Sequence, residues 1–153
     1  MNSEIDFFPE LTALVRQVLE DHLNPNTLSL LSMMSEDIVF EFPYALPGGL
    51  PEVSGKPALA DYLSQIANLI SIKSMTLDNV VIDGEGKQVV LEISCLGTGK
   101  ATGLPYNQHY VYVLTLYAGL IQRWRDYWNP IVILQTIGGI ENLSEIVKKT
   151  KND

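Results

Sequence analysis

Hydrophobic residues near the start of the chain recur at the spacing i, i+3, i+4, i+7, i+8. These positions are Leu11, Leu14, Val15, Val18 and Leu19. This spacing predicts an amphipathic helix over residues 9–22, and Pro9 suits its first turn, where a missing N–H costs nothing. The pair Asn24-Pro25 ends that helix and can begin a second, shorter one, so the pattern predicts a helical hairpin.

The hydrophobic pattern then changes to a period of two. Over residues 38–44 it places Ile38, Phe40, Phe42 and Tyr44 on one side, which predicts a strand that ends in the Gly- and Pro-rich loop 47–51. A third helix is predicted to begin at Gly55-Lys56-Pro57. Its apolar side carries Leu59, Tyr62, Leu63, Ile66 and Ile70.

From residue 74 onward the pattern predicts one strand after another. The predicted strands cover residues 75–83, 88–97, 106–117 and 120–128. The tight turns between several of them favour antiparallel pairing, and helices collected at one end of the sequence are typical of an α+β fold. A short apolar segment, 131–137, follows the last strand, and a terminal helix is predicted after Gly138-Gly139.

The predicted strand over residues 106–117 is apolar on both faces. Val111 and Val113 lie on one face, whereas Tyr112 and Leu114 lie on the other. Helices can cover only one face of such a sheet. The uncovered face therefore predicts a homodimer.

Length, net charge and cysteine content exclude several classes of protein. A length of 153 residues suits one domain, 1–153, and a net charge of −8 argues against nucleic-acid binding. The longest aliphatic run, Ile131 to Leu134, is too short to span a membrane. The acidic N-terminus does not match a signal peptide, and a single cysteine, Cys95, excludes an internal disulfide. We expect a cytoplasmic protein that does not bind a membrane.

The sequence contains no complete motif for binding a metal or a nucleotide cofactor. The stretch Gly97-Thr98-Gly99-Lys100 lacks the first glycine of a phosphate loop and the Ser or Thr that must follow the lysine. His22 and His109 have no partner at metal-ligand spacing. The sequence therefore predicts neither a metal nor an organic cofactor.

The most informative stretch lies in the last predicted strand. Strand parity places Trp124, Asp126 and Trp128 on one face. If that face is interior, desolvation raises the pKa of Asp126 and makes it a stronger base once it is ionised. The alternative is an exposed Asp126 paired with an arginine across the turn, and the sequence does not separate the two.

Other polar residues interrupt the apolar strands. Glu41, Glu92 and His109 each fit the solvent side of a strand, although a neutral imidazole could also donate or accept a proton near pH 7. Four tyrosines could supply phenol donors to a ligand and equally suit a core or an interface. They are Tyr44, Tyr106, Tyr110 and Tyr112.

Two segments resemble a known family. Residues 40–49, Phe-Glu-Phe-Pro-Tyr-Ala-Leu-Pro-Gly-Gly, with Gly55-Lys56-Pro57-Ala58-Leu59, resemble the SnoaL-like branch of the nuclear-transport-factor-2-like superfamily, which includes polyketide cyclases. His109-Tyr110 and residues 125–130, Arg-Asp-Tyr-Trp-Asn-Pro, resemble the phenazine-biosynthesis A/B proteins of that branch. The resemblance covers about residues 10–137.

The resemblance implies a cone-shaped roll in which the N-terminal helices pack on the concave face of a mostly antiparallel sheet. It also implies a closed apolar pocket and an acidic proton-transfer group near the end of the last strand, where Asp126 stands. The superfamily includes isomerases, cyclases and pure binding domains, so the fold does not decide the function.

Three hypotheses follow. The first is a cofactor-independent isomerase or cyclase in which Asp126 removes a proton next to the carbonyl of a small hydrophobic or aromatic ligand and His109 or a tyrosine stabilises the enolate. The second is a non-catalytic binding pocket, and the third is a dimerisation module. The ligand-binding candidates are Phe40, Phe42, Tyr44, Tyr62, Tyr110, Tyr112, Trp124 and Trp128.

Overall fold

The computed structural model describes residues 5–139 and shows a mixed α+β fold with one six-stranded sheet. In chain order the elements are helix α1 (Pro9–Leu19), a single 3-10 turn (Leu31–Met33), strands β1 (Met34–Glu41) and β2 (Glu52–Ser54), helix α2 (Lys56–Leu69), strands β3 (Ile70–Ile82), β4 (Gln88–Gly99), β5 (Gln108–Tyr117) and β6 (Leu120–Tyr127), and helix α3 (Pro130–Thr136). The predicted α+β class is confirmed.

The strands lie in the order β2-β1-β6-β5-β4-β3. The β1–β6 pair is parallel and every other neighbouring pair is antiparallel. Register shifts interrupt the β3–β4 and β5–β6 ladders, and such bulges bend a sheet. The resulting curvature gives the sheet a concave face, on which the helices pack.

A tight turn joins β5 to β6, as the sequence predicts. Ala118 and Gly119 both have positive φ, 53° and 79°, which is the backbone of a two-residue type I′ hairpin. This turn and the register shift between Thr115 and Leu116 together fix the pairing of the two strands that carry most of the site described below.

The helical hairpin predicted at the N-terminus is wrong in its second half. Between α1 and β1 the structure has only the 3-10 turn, beside which Ser29 and Ser32 bond each other's backbone. The N–H of Ser29 donates to Oγ of Ser32 at 2.8 Å, and the N–H of Ser32 donates to Oγ of Ser29 at 3.1 Å. Serine side chains that satisfy nearby backbone groups compete with helix formation.

Two further elements differ from the expectation. The apolar segment after the last strand is α3, which Asn129 caps by accepting a hydrogen bond from the N–H of Ile131 at 3.0 Å. Strand β2 was not predicted; it pairs with β1 through Phe40 and Val53. The terminal helix expected after Gly139 lies outside the described residues.

The core lies between the concave face and the helices. Val15 and Leu19 of α1 and Leu59 of α2 are fully buried there, against Leu91 of β4 and Leu114 of β5. In the described range, 5–139, no helix is both long and apolar enough to cross a membrane. The buried hydrophobic residues of α1 and α2 belong to this core.

Candidate active site in the concave cavity

A cavity of about 530 Å³ opens between the concave face of the sheet and the helices. Its walls come from β1, β3, β5 and β6, from α2 and α3, and from the loops around Leu46 and Thr102. Most of the lining side chains are aliphatic or aromatic, and a cavity of this size suits a small organic molecule. The site is therefore a largely apolar chamber.

Asp126 lies in the cavity wall. In the β5–β6 ladder it pairs directly with Tyr112, so both side chains leave the sheet on its concave face. Asp126 is only 9% exposed, and its Oδ1 atom accepts no hydrogen bond from the residues that the structure describes. Burial alone raises the pKa of Asp126 to about 8. At neutral pH this carboxyl therefore exists mostly as the neutral acid.

Four tyrosines surround the chamber. The hydroxyls of Tyr106 and Tyr110 are hydrogen-bonded to each other, and the ring of Tyr110 stacks on Tyr112 with centroids 5.1 Å apart. Tyr62 reaches in from α2 and packs against Phe42 at 4.8 Å. Burial, with the Asp126 carboxylate as a further cause, raises the pKa of all four phenols. They stay protonated at physiological pH and can donate hydrogen bonds.

Gln108 holds the end of β6 in place. This fully buried side chain donates to the carbonyl of Asn129 at 3.1 Å and accepts from the N–H of Asn129 at 2.8 Å. Its Oε1 also accepts from the N–H of His109 at 3.0 Å. Because Asn129 follows the last strand directly, this clamp fixes the segment that carries Asp126 and Trp128.

Trp124 does not line the cavity, contrary to the expectation. Its ring is fully buried and stacks on Phe40 at 5.3 Å, with Tyr112 at 4.8 Å on the other side. Strand parity does bring Trp124 to the same face as Asp126, but Phe40 and Tyr112 cover it. Trp124 therefore packs behind the residues that line the cavity and supports them.

His109 lies on the opposite face of the sheet, and the prediction that it acts in the pocket is wrong. It pairs in register with Ser94, and its Nδ1 lies 3.2 Å from Oγ of Ser94, in an exposed position. Since Gln108 points inward, the period of two turns His109 outward. His109 is therefore out of reach of a ligand in the chamber.

Tyr44 is also outside the cavity. It is 55% exposed and packs edge-on against Tyr127 at 5.3 Å. The chain leaves the strand geometry after Glu41, so the alternation that places Phe40 and Phe42 inward does not continue to Tyr44. The candidates Phe40, Phe42, Tyr62, Tyr110, Tyr112 and Trp128 do line the chamber.

The electrostatics of the chamber are simple. Among the described residues that line it, Asp126 is the only aspartate or glutamate, and none is a lysine, arginine or histidine. Within residues 5–139, no three His, Cys, Asp or Glu side chains form a cluster that could hold a metal ion. The described lining thus offers one carboxyl group, several phenols, the polar residues Gln65, Thr102 and Thr136, and apolar walls.

The sequence interpretation missed two features of the site. Gln108 is a polar residue at an inward position of an otherwise apolar strand, and that parity was the available indication. Helix α3 contributes Ile133, Thr136 and Ile137 to the cavity, and nothing in the local pattern indicates that this helix folds back over the sheet.

These features define a class of protein: an α+β roll whose curved sheet and helices enclose an apolar pocket with one buried carboxyl group. The chain belongs to the SnoaL-like domain family, whose model matches residues 15–124. Solved structures of NTF2-like proteins share the fold. The family resemblance seen in the sequence is confirmed.

Individual relatives agree with this assignment. The Bacillus subtilis protein YesE is 35% identical over 132 residues, which cover 86% of this chain and 90% of that one. A crystal structure from Bacillus subtilis, provisionally described as an isomerase, is 34% identical, has a TM-score of 0.72 and covers 89% of this chain and 98% of that one. A phenazine A/B-like protein of Pseudomonas aeruginosa is 27% identical over 110 residues, 72% of this chain and 77% of its own.

Proposed function

We propose that this protein is a cofactor-independent enzyme that removes a proton from the carbon next to the carbonyl of a small hydrophobic compound. The observation that carries the proposal is Asp126, a carboxyl group buried in an apolar cavity with Oδ1 unpartnered among the described residues. Structural carboxylates are normally paired when buried. A carboxyl group kept without a partner inside a ligand-sized chamber supports a chemical role.

The pKa of Asp126 suits a general base. With a pKa of about 8, roughly a tenth of the molecules carry the carboxylate at pH 7. That fraction is a stronger base than an ordinary aspartate, and proton transfer is most efficient when the pKa of the base lies near the working pH. The C–H proton passes to Asp126, and the C–H electron pair forms the double bond of an enolate.

The hydroxyl pair of Tyr106 and Tyr110 is the proposed partner of Asp126 in this reaction. The negative charge of the enolate develops on the former carbonyl oxygen, where preorganised hydrogen-bond donors lower the barrier. The phenols remain protonated because burial raises their pKa. Return of the proton to another carbon gives an isomer. Attack of the enolate carbon on a second carbonyl of the same molecule gives a ring, and the new alkoxide oxygen takes the proton from Asp126.

The test is hydrogen exchange at carbon in deuterated water, followed by NMR with small hydrophobic ketones such as 2-tetralone. The proposal predicts that the protein accelerates exchange next to the carbonyl and that Asp126→Asn lowers this rate by about 10²–10⁴-fold. Asp37→Asn makes the same chemical change at an exposed position and should exchange like the wild type. Ketones that bind without any exchange would instead identify a non-catalytic binding domain of the same fold.

We also propose that the protein works as a homodimer through the convex face of the sheet. Exposed apolar side chains occupy this face, with Val81 57% and Val111 36% exposed. The same face carries both signs of charge, including Glu41 bonded to Arg123 at 2.9 Å. A two-fold interface places one patch against its own copy, so a patch with both signs can complement itself.

A further inference from the structure

The chamber has the composition of a site for a hydrophobic cation. Its described lining contains one acidic residue and none that is basic. Aromatic side chains contribute to the remaining wall, among them Tyr62, Tyr110, Tyr112 and Trp128. Aromatic faces attract cations because the ring quadrupole is negative above its plane, and this attraction grows when both groups are shielded from water.

The position of Asp126 adds a second, independent feature. Its carboxyl group is nine-tenths buried, faces the cavity and leaves Oδ1 without a hydrogen-bond partner among the described residues. A buried carboxylate requires a counter-charge or hydrogen-bond donors to remain ionised. No described lining residue supplies that charge, whereas a ligand could bring it.

We propose that this cavity binds hydrophobic quaternary or tertiary ammonium compounds, with Asp126 as the counter-ion and the tyrosine rings as the walls around the cationic group. The proposal concerns ligand class, goes beyond the proton-transfer reaction and does not depend on it. It depends only on the placement of Asp126 among aromatic walls. Anionic ligands such as carboxylates and phosphates should be excluded, because they would meet Asp126 and find no described cation.

Cation binding to this site should be coupled to release of a proton. Below the pKa of Asp126, about 8, the ligand must displace the carboxyl proton, so affinity should rise about tenfold per pH unit and level off above pH 8. The titratable groups that face Asp126 are Tyr62 on α2, Tyr106 before β5, and Tyr110 and Tyr112 on β5. Burial holds the pKa of each phenol above its usual value, so none of them titrates in this range.

The test compares two probes of nearly identical shape. Benzyltrimethylammonium keeps its charge at every pH, and neopentylbenzene has carbon in place of the nitrogen. Binding is followed by tryptophan fluorescence, since Trp128 lines the cavity. The proposal predicts that the cation binds about ten times more tightly at pH 9 than at pH 7, and that the neutral probe gains no affinity over the same range.

Variants distinguish an ion pair between Asp126 and the ligand from binding through apolar contacts alone. Asp126→Asn should weaken cation binding at pH 9 by tenfold or more and remove its pH dependence, while neopentylbenzene still binds and shows that the cavity is intact. Asp37→Asn should behave like the wild type. The proposal is overturned if the cation binds no better than the neutral probe at pH 9, or if its pH dependence persists in Asp126→Asn. Either result leaves the carbon-exchange test of the proposed reaction unaffected.

Discussion

Asp126 and Tyr112 lie directly opposite each other on neighbouring strands, and both side chains point into the cavity. The turn at Ala118 and Gly119 begins the pairing of the two strands, and the one-residue register shift between Thr115 and Leu116 then brings Asp126 opposite Tyr112. A slip of one residue would move Asp126 to the convex face, because successive side chains of a strand alternate. The chemistry of the site therefore depends on a hairpin turn and on a β-bulge between that turn and Asp126.

Burial of Asp126 predicts an unusual dependence of stability on pH. The pKa of its carboxyl group rises from 3.8 in the unfolded chain to about 8 in the fold. Between these values the folded state holds a proton that the unfolded state has lost, so raising the pH favours unfolding. The free energy of unfolding should fall by up to about 1.4 kcal/mol per pH unit from this group.

Urea denaturation at pH 5, 6.5 and 8 measures this effect. As the pH rises, the free energy of unfolding of the wild type should fall relative to that of Asp126→Asn, because the Asn side chain has no proton to lose. Asp37→Asn should follow the wild-type slope. Parallel curves for wild type and Asp126→Asn would show that Asp126 has an ordinary pKa in the folded protein.

Removal of the Gln108 clamp should reduce stability. Gln108→Met keeps the length of the side chain but leaves the N–H and carbonyl of Asn129 without these partners. Loss of these partly buried hydrogen bonds should lower the free energy of unfolding by about 1–3 kcal/mol, measured by urea denaturation. Gln88→Met, at an exposed position, is the matched control, and an equal loss in both variants would contradict the clamp.

The hydroxyl pair should matter for turnover more than for folding. Tyr106→Phe and Tyr110→Phe each remove one donor, and loss of one such donor commonly lowers turnover by about 10²–10³-fold. Ketone exchange rates at saturating ligand measure the effect, with Tyr117→Phe at a 71% exposed position as control. Wild-type turnover in both pocket variants would remove the hydroxyl pair from the proposed mechanism.

The proposed dimer interface on the convex face can be tested by introducing a charged residue there. Val111→Glu places a carboxylate on that face and should convert a dimer into a monomer of 17.0 kDa, as measured by sedimentation equilibrium. Val80→Glu is the matched control, because Val80 pairs with the buried Leu91 and so belongs to the opposite face. A wild-type protein that is already monomeric at micromolar concentration would refute the proposed dimer.

Much of the fold can be predicted from periodicity because its strands are long. In β4 and β5, inward and outward residues alternate over ten residues or more. In β6 the alternation resumes after a bulge, from Trp124 onward, and identifies the face of Asp126. Short elements escape such analysis. Strand β2 has three residues, too few to show a period, and the helix expected before β1 is replaced by a turn held by Ser29 and Ser32.

The errors within the site have a common physical origin. Residue type suggests that His109 belongs to a pocket, and strand parity suggests the same for Tyr44 and Trp124, but the folded position of each decides the outcome. His109 has outward parity, Tyr44 lies beyond the end of β1, and Trp124 is covered by the rings of Phe40 and Tyr112. Which surface of a face remains open as a cavity depends on tertiary packing, which strand parity does not describe.

The most direct test of the proposed reaction is the pH dependence of carbon exchange with a bound ketone at saturation. If Asp126 is the base, the wild-type rate should rise with pH and level off with a midpoint near the pKa of about 8. In Asp126→Asn this rise should disappear, although the ketone still binds. An exchange rate that follows the same pH profile in both proteins would contradict the assignment of Asp126 as the catalytic base.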